Sequence, residues 1–584
     1  MYVLGLTTMG ESSAALLRDG EVIACAEEER FSRQKHHSGF PYHAMAYCLE
    51  EAGITLADVD HVTHYWKPWI LRHRVTHTLG VMTKGFEFFR ARAQRGTKQL
   101  RGNYLPMFTL PWRIKRELGD KEHPPKFQFH YVEHHLSHAA SSFYLSPFDD
   151  AAILTVDGAG EEATVLFAHG QGNKIKILRR IKLPHSLGQF YSAVTNFLGF
   201  DMFAGDEYKV MGMAGWGQPT TASFLQKEVL RCTSPGDFKL DITFLDHHLA
   251  KHRKFSQRAI NLWGPPAAPG EESTQRHYDI AASVQTAYEE TLFHLLDWLA
   301  KETGSRNLCM AGGCALNSLA NGKLASRTAF DNFYFQPASH DGGGALGSAL
   351  EVYHSTLDNP RKQVMKHAYW GPGFDSQRCE QAALQKGLRP LRVDSDKLPD
   401  RVASLIADGA IIGWFQGRME WGPRALGHRS FLADPRRADM KEVINRKIKL
   451  REPFRPFAPS MLKEASVRYF GKQHDAPFMI TVFPVLEERK KEIPAVVHVD
   501  GTARPQLVDK DVNPRYHALL SAFEKRSGVP VLLNTSFNVQ EPIVCTPEDA
   551  VRTFLYTDVD YLVMEDLIVP RPGATVPEAT EIKA

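Results

Sequence analysis

Two histidines and two aspartates in this chain have the chemical types and the spacing of metal ligands. His134 and His138 are four residues apart, so on a helix both imidazole rings leave the same face. Asp157 and Asp341 each precede a glycine-rich turn, and their carboxylates are hard oxygen ligands. A histidine pair alone is more often structural, but the two aspartates raise the set to a predicted four-ligand metal site.

A further pair of histidines does not have this context. His248 and His252 are also four residues apart, but no glycine-rich turn lies near them in sequence. Lys251 stands between them and would repel a cation. The pattern therefore predicts an ordinary surface helix over residues 246–252.

Cationic side chains in the last third of the chain indicate a different chemistry. They stand in segments 416–430 and 445–459, where glycine and proline restrict the backbone. Guanidinium and ammonium groups held in this way suit phosphate and carboxylate oxygens, whereas the alternative is a basic surface patch. Residues 531–538 read as a strand ending in small hydrogen-bonding side chains, which also suit a phosphate or an amide. The cationic candidates are Arg418, Arg424, Arg429, Lys449, Arg451 and Arg455.

Glycine turns offer backbone donors as well. The apolar run 308–311 ends in Gly312-Gly313 and leads into a helix-like segment, so free N–H groups at the helix start would suit phosphate or ribose. A simple tight turn is the alternative interpretation. The turn after Asp341 has the same form, and two such turns beside one predicted metal site favour a binding role.

These residues need a scaffold, which two glycine-turned hairpins predict. Strand-like runs occupy residues 2–8, 14–17 and 21–26, and again residues 150–156, 163–168 and 174–181. Their recurrence indicates an internal structural duplication. The pattern resembles the actin, hexokinase and Hsp70 class of nucleotide-binding folds, which implies an α/β domain of two ribonuclease-H-like halves over residues 1–360.

Composition divides the rest of the chain. Residues 361–395 are polar and contain proline without sustained periodicity, which predicts a linker followed by a second domain over 396–584. Residues 67–126 carry fourteen Lys or Arg against four Asp or Glu. This insertion could bind nucleic acid or a phosphate-bearing ligand, but an amphipathic helical insertion with a solvated basic face is the favoured interpretation. It is also a candidate wall for an acceptor pocket.

The overall composition is that of a globular protein. Of the 584 residues, 43% are hydrophobic and 23% are charged, with a net charge of +3. No apolar run approaches the roughly 18 residues that suggest a membrane span, and no signal peptide opens the chain. We therefore expect a cytoplasmic location without membrane contact. Seven scattered cysteines argue against a disulfide framework and a cysteine-based zinc site.

Motifs along nearly the whole chain together resemble the NodU/CmcH family of carbamoyltransferases, which includes the O-carbamoyltransferases of antibiotic biosynthesis. They occur in the family's order, and several are long and specific. The matching stretches are Glu27-Glu-Glu-Arg-Phe-Ser-Arg33 with Lys35-His36, the His134 and His138 pair, Asp157-Gly-Ala-Gly160, Tyr208-Lys-Val-Met-Gly212, Gly312-Gly-Cys-Ala-Leu-Asn317, Asp341-Gly-Gly, Trp421-Gly-Pro-Arg-Ala-Leu-Gly427, Phe454-Arg-Pro-Phe-Ala-Pro459 and Asn534-Thr-Ser-Phe-Asn538.

The resemblance implies an enzyme with two sites. In a C-terminal α/β domain of the YrdC type, carbamoyl phosphate and ATP with Mg²⁺ would give carbamoyl-adenylate and pyrophosphate. In an N-terminal domain of the Kae1 type, the carbamoyl group would pass to a hydroxyl of a small-molecule natural product. We expect no nucleic-acid partner, and a monomer or homodimer.

The resemblance also assigns roles to single residues. Iron(II) would be bound by His134, His138, Asp157 and Asp341. Carbamoyl-adenylate in the first domain would contact Gly158, Lys209, Gly312, Gly313 and Asn317. ATP and carbamoyl phosphate in the second domain would be held by Arg418, Arg424, Arg429, Ser430, Lys449, Arg455, Asn534 and Ser536.

One departure from the family concerns the general base. The family has His-Asp at the first hairpin, where this chain has Gly10-Glu11. Since that histidine is the natural base for the acceptor hydroxyl, another group must take its place, and Glu11 is the first candidate. His36 beside Lys35, or His37, are the others. Alternatively, an acidic or metal-bound acceptor hydroxyl needs no dedicated base.

Two other functions fit parts of this pattern. A threonylcarbamoyl-type tRNA modification enzyme contains both domain types and would bind nucleic acid through residues 67–126. A nucleotide-binding regulatory or scaffold protein could keep the fold without catalysis, and the missing histidine favours that alternative.

Overall fold

Each of the two predicted hairpins begins a five-stranded sheet. The first sheet has the strand order β3-β2-β1-β4-β5. β1, β2 and β3 are antiparallel neighbours, whereas β4 is parallel to β1 and β5 is parallel to β4. Its strands are β1 (Tyr2–Thr7), β2 (Ser13–Arg18), β3 (Glu21–Glu27), β4 (His61–His64) and β5 (Gln128–Tyr131).

The second sheet repeats this arrangement. Its order is β12-β11-β6-β7-β8, again an antiparallel three-stranded unit extended by two parallel strands. The predicted duplication and the ribonuclease-H-like halves are therefore confirmed. The strands are β6 (Asp150–Val156), β7 (Ala163–Gln171), β8 (Lys174–Lys182), β11 (Asn307–Ala311) and β12 (Asn332–Phe335), and a separate hairpin pairs β9 (Leu230–Ser234) with β10 (Asp237–Leu240).

The computed structural model describes residues 1–70, 102, 104–245 and 255–572. Most of the predicted basic insertion and the histidine pair at 248 and 252 lie outside these residues. In the described part of the insertion, the helix Leu110–Leu118 buries Leu110 and Ile114 and exposes Lys115 and Arg116. This part of the insertion is thus an amphipathic helix.

Helices cover the two sheets of the first unit, Met1–Met365. Among the described residues no helix is both long and apolar enough to cross a bilayer, the 29-residue helix Gln275–Thr303 included. The helices are Glu28–Ser32, Tyr42–Glu51, Leu105–Phe108, Leu110–Leu118, His134–Phe143, Leu187–Phe197, Glu207–Ala214, Gln257–Trp263, Gln275–Thr303, Ser318–Arg327 and Gly343–Leu350.

Two of these helices approach each other unusually closely, and they flank the predicted metal site. A β-carbon on Gly347 would lie 1.8 Å from the carbonyl oxygen of Ser137, so only glycine allows the helices His134–Phe143 and Gly343–Leu350 to pack at this distance. Likewise, a β-carbon on Gly5 of β1 would lie 1.9 Å from the oxygen of Ala345. Glycines thus hold both helices against each other and against the first sheet.

The second unit, Lys366–Ala584, is an α/β domain around an eight-stranded sheet. The order is β13-β22-β21-β14-β15-β20-β16-β19, and β17 pairs with β18 in a separate ribbon. Helices include Ser376–Leu384, Leu398–Ala407, Met440–Ile444, Ser466–Phe470, Pro514–Ser527 and Pro547–Tyr556. The strands are β13 (Leu391–Arg392), β14 (Ile412–Phe415), β15 (Arg429–Ala433), β16 (Ala458–Leu462), β17 (Phe483–Pro484), β18 (Thr502–Ala503), β19 (Gln506–Val508), β20 (Val531–Ser536), β21 (Tyr561–Met564) and β22 (Leu567–Pro570).

Residues 366–395, which the sequence assigns to a linker, belong to this second unit. The helix Ser376–Leu384 buries Cys379 and Ala383 in its core, and β13 pairs with β22. The segment reads as polar because the opposite face of the short helix and both residues of β13 are exposed. The change from the first unit to the second therefore falls at residues 365 and 366.

Candidate metal centre and anion-binding site

The four predicted metal ligands converge on one point. Nε2 of His134 and Nε2 of His138 lie 3.4 Å and 3.1 Å from Oδ2 of Asp157. Both Nε2 atoms lie 3.8 Å from Oδ1 of Asp341. All four ligand atoms are within 4.8 Å of one another. The one-turn spacing on the helix His134–Phe143 places both rings on one face, toward the loops that follow β6 and β12 and carry the two aspartates.

In each aspartate, one carboxylate oxygen contacts a neighbouring N–H or hydroxyl group and the other faces the two histidines. Asp157 follows β6, and its Oδ1 accepts a hydrogen bond of 2.6 Å from the N–H of Gly158. The hydroxyl of Tyr65 donates to the carbonyl of Met9 at 2.8 Å and lies 3.4 Å from Oδ2 of Asp341. One oxygen of each carboxylate therefore remains directed at the histidines.

The electrostatics of this cluster favour a bound cation. Burial would lower the pKa of His138, but the carboxylates of Asp157 and Asp341 raise it to about 9. Burial would raise the pKa of Asp157, yet the histidines hold it well below its ordinary value. Burial raises the pKa of Asp341. Two carboxylates enclosed this closely repel each other unless positive charge lies between them.

A divalent metal ion fits this donor set. Metal–ligand bonds of about 2.0–2.2 Å place neighbouring ligand atoms roughly 3 Å apart and opposite ones roughly 4.4 Å apart, and the four ligand atoms span this range. Imidazole nitrogens with carboxylate oxygens suit iron, manganese, cobalt and zinc alike. By contrast, the intervening His135 bonds to Thr155 at 2.7 Å and to the carbonyl of Ala163 at 3.1 Å, so it is a structural histidine.

The first hairpin brings Glu11 and His36 together beside this cluster. Oε1 of Glu11 lies 3.1 Å from Nδ1 of His36. Lys35 is exposed on the same turn, and His37 bonds instead to the hydroxyl of Ser32 at 3.0 Å. Of the candidates for the general base, the structure thus pairs Glu11 with His36.

Gly10, which replaces the family histidine, is required by its surroundings. Its φ angle is +63°, and a β-carbon would lie 2.2 Å from Oδ2 of Asp341. With this backbone no side chain fits at position 10. A general base therefore cannot be contributed by position 10.

Three of the glycines predicted to contact an adenylate surround Asp157. A β-carbon on Gly313 would lie 3.4 Å from Oδ1 of Asp157, and one on Gly312 would lie 2.3 Å from the carbonyl of Val156. Gly158 follows Asp157 directly. The structure thus brings the three glycines together around Asp157, and the N–H of Gly158 already donates to this aspartate. Their contact with an adenylate stays a prediction.

Asn317 and Lys209, predicted for the same ligand, have partners within the protein. The amide of Asn317 exchanges hydrogen bonds of 2.9 and 3.0 Å with Gln285, and its oxygen caps the helix Ser318–Arg327. Lys209 pairs with Asp206 at 3.0 Å. A direct contact of either side chain with a ligand would replace one of these bonds.

The second unit contains a cluster of cations that is poor in carboxylates. Burial and the nearby charges of Arg424 and Arg451 lower the pKa of Arg504 well below its ordinary value. Nε of Arg504 is buried without a hydrogen-bond partner, and no described carboxylate lies within ion-pair distance of it. Burial and Arg451 also lower the pKa of Lys441. Such mutual repulsion is relieved when an anion binds.

The comparisons with known proteins decide the family. The family description "Carbamoyltransferase N-terminus" matches residues 2–350, and "Carbamoyltransferase C-terminus" matches residues 403–571. The chain belongs to the carbamoyltransferase family. The predicted family is thereby confirmed, and with it a transferase, not a regulatory or scaffold protein.

Relatives of this carbamoyltransferase match along nearly its whole length. An uncharacterized protein of Synechocystis sp. is 40% identical over 98% of this chain and 97% of its own. Nodulation protein NolNO of Sinorhizobium fredii is 38% identical over 97% of this chain and 80% of its own. Nodulation protein NolO of Bradyrhizobium diazoefficiens is 39% identical over 78% of this chain and 81% of its own.

In the structure of the carbamoyltransferase, Arg429 is tied to the backbone of its own domain. Its guanidinium is fully buried and lies 3.6 Å from the centre of the Phe415 ring. Its terminal nitrogens donate to four backbone carbonyls, those of Gln416, Gly417, His428 and Pro372. All four terminal N–H groups are thus occupied within the protein, and the buried Nε–H is the donor without a partner. The predicted contact of Arg429 with a ligand stays a prediction. Arg418 similarly donates to the carbonyls of Trp370 and Gly371.

The other residues predicted for the second site lie in different surroundings. Nζ of Lys449 is 2.6 Å from the carbonyl oxygen of Ser536 and 3.2 Å from its hydroxyl, so the structure brings this predicted pair together. Asn534 is buried and bonds to Ser460, while buried Ser430 accepts from the N–H of Gly427. Arg455 lies half-buried beside Glu452.

Arg504 is the residue that sequence reasoning missed. It stands in Thr502-Ala-Arg-Pro505, where arginine precedes proline as Arg455 does in Phe454-Arg-Pro456. The same rule that selected Arg455, a guanidinium next to a rigid residue, would have selected Arg504. Arg504 is the only arginine in its segment, whereas the predicted anion-binding residues stand in groups of several cations.

Proposed function

We propose that this carbamoyltransferase activates carbamoyl phosphate with ATP in the second unit and transfers the carbamoyl group to a hydroxyl of a small natural product in the first unit. The observation that carries the proposal is the opposite charge of the two sites. The second unit encloses arginines with few carboxylates, which suits polyphosphates. The first unit encloses carboxylates with imidazoles, which suits a metal ion.

In the activation step, water hydrolyses carbamoyl phosphate to carbamate and phosphate, and an oxygen of the carbamate then attacks the α-phosphorus of Mg²⁺-bound ATP. Carbamoyl-adenylate forms, and pyrophosphate leaves. The step brings several negative charges together, so fixed cations lower its barrier. Arg424, Arg451 and Arg504 supply that charge, and Lys449 and Arg455 lie in the motif predicted to hold carbamoyl phosphate.

In the transfer step, backbone N–H groups near Gly158, Gly312 and Gly313 hold the adenylate phosphate. Iron(II), bound by the two histidines and two aspartates, would supply Lewis-acid polarisation of the carbamoyl oxygen or the phosphate. Exclusion of water would protect the reactive mixed anhydride, and the full burial of His134 and His138 supports a site with little solvent around the metal ligands. The acceptor oxygen then replaces AMP on the carbamoyl carbon.

The proposal is tested by the products of the purified protein. We expect pyrophosphate release that requires ATP and carbamoyl phosphate together, and AMP as the second nucleotide product. Arg455→Ala should abolish release, whereas Arg436→Ala, whose guanidinium pairs with Asp434 at 2.6 Å, should not. Release of ADP, or pyrophosphate formation without carbamoyl phosphate, contradicts the proposed activation chemistry.

A further inference from the structure

Glu11 and His36 form a carboxylate–imidazole pair whose geometry suits proton transfer. The bond of 3.1 Å joins Oε1 of Glu11 to Nδ1 of His36. The histidine side chain is 30% exposed, so a ligand can reach it. In enzymes that use such a pair, the carboxylate fixes the tautomer and leaves the opposite ring nitrogen to accept a proton.

The opposite nitrogen of His36 is available for this role. Nε2 has no hydrogen bond to any residue that the structure describes. The backbone N–H of His36 donates to Oε2 of Glu29 at 2.8 Å, which ties the turn to the helix Glu28–Ser32. A second contact comes from Gly205, where a β-carbon would lie 3.2 Å from Nε2. Glu11 therefore holds the Nδ1 edge of the ring, and because residue 205 is glycine no side chain covers the Nε2 edge there.

The backbone at His36 is strained in a way that ring placement explains. Its φ angle is +52°, in the left-handed region that residues other than glycine rarely adopt. Such strain persists where the surroundings impose it, and it is concentrated at functional sites. Here the bonds from Glu11 and Glu29 impose it, and the result is a ring turned toward the first hairpin.

The first hairpin connects this pair with the metal cluster. Gly10 lies against Asp341, and Tyr65 bonds both to Met9 and to Asp341. Glu11 is the next residue, so the turn that touches a metal ligand also carries the partner of His36. The pair of Glu11 and His36 therefore lies on the turn that contacts the metal ligand Asp341.

We propose that His36 is the catalytic base that removes the proton from the acceptor hydroxyl, and that Glu11 is its positioning residue. The proposal rests on the transfer step of the proposed function. The acceptor O–H bond gives its proton to Nε2 of His36, and its electron pair forms the new bond to the carbamoyl carbon. The bond from that carbon to the adenylate oxygen breaks, and AMP leaves with the electron pair.

The alternatives within the same turn fit less well. His37 bonds to a serine hydroxyl, which does not stabilise an imidazolium as a carboxylate does. Although burial would raise the pKa of Glu11, its hydrogen bond with His36 lowers it, so the carboxylate is a weak base. Conversely, the pKa of His36 is raised, chiefly by its hydrogen bond with Glu11. The pair therefore favours imidazole as the proton acceptor.

The test uses the full-length protein loaded with metal, ATP and carbamoyl phosphate, and two probe acceptors. Methanol reacts only when a base removes its proton, and it gives methyl carbamate. Hydroxylamine reacts as a nucleophile without the help of a general base, and it gives hydroxyurea. In His36→Ala we expect methyl carbamate to fall about a hundredfold or more, with hydroxyurea and pyrophosphate nearly unchanged. Added imidazole should restore part of the methyl carbamate. His37→Ala is the matched control and should behave like the wild type.

Glu11→Gln tests the positioning role by the pH profile. Neutral His36 is the active form, so transfer to methanol should rise with pH through the pKa of His36. The charged groups that face His36 are Glu11, Glu27, Glu29 and Lys35. His340 faces the pair as well, with its Nδ1 at 3.8 Å from Oε2 of Glu11. Removing the Glu11 charge should shift that rise to lower pH, which a purely structural loss would not do.

The outcomes separate this inference from the proposed function. If the wild type releases no pyrophosphate, the proposed function is wrong. If it does, and His36→Ala keeps normal methyl carbamate formation or loses hydroxyurea to the same extent, His36 is not the base. Wild-type protein that makes hydroxyurea but no methyl carbamate also overturns the inference, because no group then acts on an alcohol.

Discussion

Gly10 and Asp341 are in such close contact that a β-carbon on the glycine would lie 2.2 Å from Oδ2 of the aspartate. The hairpin at the start of the chain and the loop 331 residues later therefore form one surface at the metal site. The absence of a side chain at position 10 is as much a part of this site as its ligands.

Gly10→Ala should weaken metal binding at least tenfold, because the new methyl group would displace a ligand. Metal content after dialysis, measured by atomic spectrometry, checks this. Gly53→Ala is a matched control, since Gly53 has nearly the same φ angle, +64°, but nothing within 4 Å of a β-carbon. Equal metal loss in both variants would assign the effect to backbone strain and not to Asp341.

His138→Ala should remove bound metal and carbamoyl transfer but leave pyrophosphate release within about threefold. Metal binding and carbamoyl transfer are lost because one of the four metal ligands is deleted. The second reaction persists because we place it in the second unit. Pyrophosphate assays on the variant, after its fold is verified by circular dichroism, decide the point. Joint loss of both activities in a folded variant would refute the division of labour between the units.

Arg504→Gln should make the ligand-free protein no less stable, because it relieves repulsion with Arg424 and Arg451. It should also abolish the thermal stabilisation that ATP gives to the wild type, and lower pyrophosphate release about a hundredfold or more. Thermal shift assays with and without ATP measure both effects. Arg436→Gln breaks an ion pair with Asp434 and should instead lower stability while keeping the response to ATP.

The free energy of unfolding of the first unit should fall as the pH is lowered, because His64 is buried. Burial lowers the pKa of this histidine from 6.5 to about 4. The unfolded chain therefore binds a proton first as the pH falls, and stability is lost between pH 6.5 and about 4, by up to about 3 kcal/mol. His64→Gln should flatten this dependence of the melting temperature on pH, even if it lowers stability throughout. His123→Gln, at an exposed position, should leave the slope unchanged.

Local patterns predicted much of the first unit. Glycine turns between short apolar runs indicated both hairpins, and the four-residue spacing indicated one face for His134 and His138. The approach of Asp341 could not be derived from such patterns, because it depends on the packing of Gly347 against Ser137 and of Gly5 against Ala345. The glycine-rich turn after Asp341 marked it as a candidate ligand, but not its distance from the histidines.

Charge patterns were less informative in the second unit. Arg429 and Arg424 have the same kind of neighbours in sequence, but one is enclosed by four carbonyls and the other lies beside Arg504. The backbone carbonyls around a buried guanidinium distinguish the two, and tertiary packing decides where those carbonyls lie. Residues 361–395 were predicted to be a linker because few of their side chains are buried. The helix Ser376–Leu384 has only a small buried face, so its sequence is mostly polar.

The contact of Gly347 with Ser137 has a consequence for how this enzyme can change over generations. Neither residue has a functional group in the chemistry, yet any larger residue at 347 would separate the helix of the histidines from the helix that follows Asp341. Acceptor preference can drift through substitutions in exposed loops. The spacing of the helices cannot, so residues without reactive side chains restrict the evolution of this site as strictly as its ligands do.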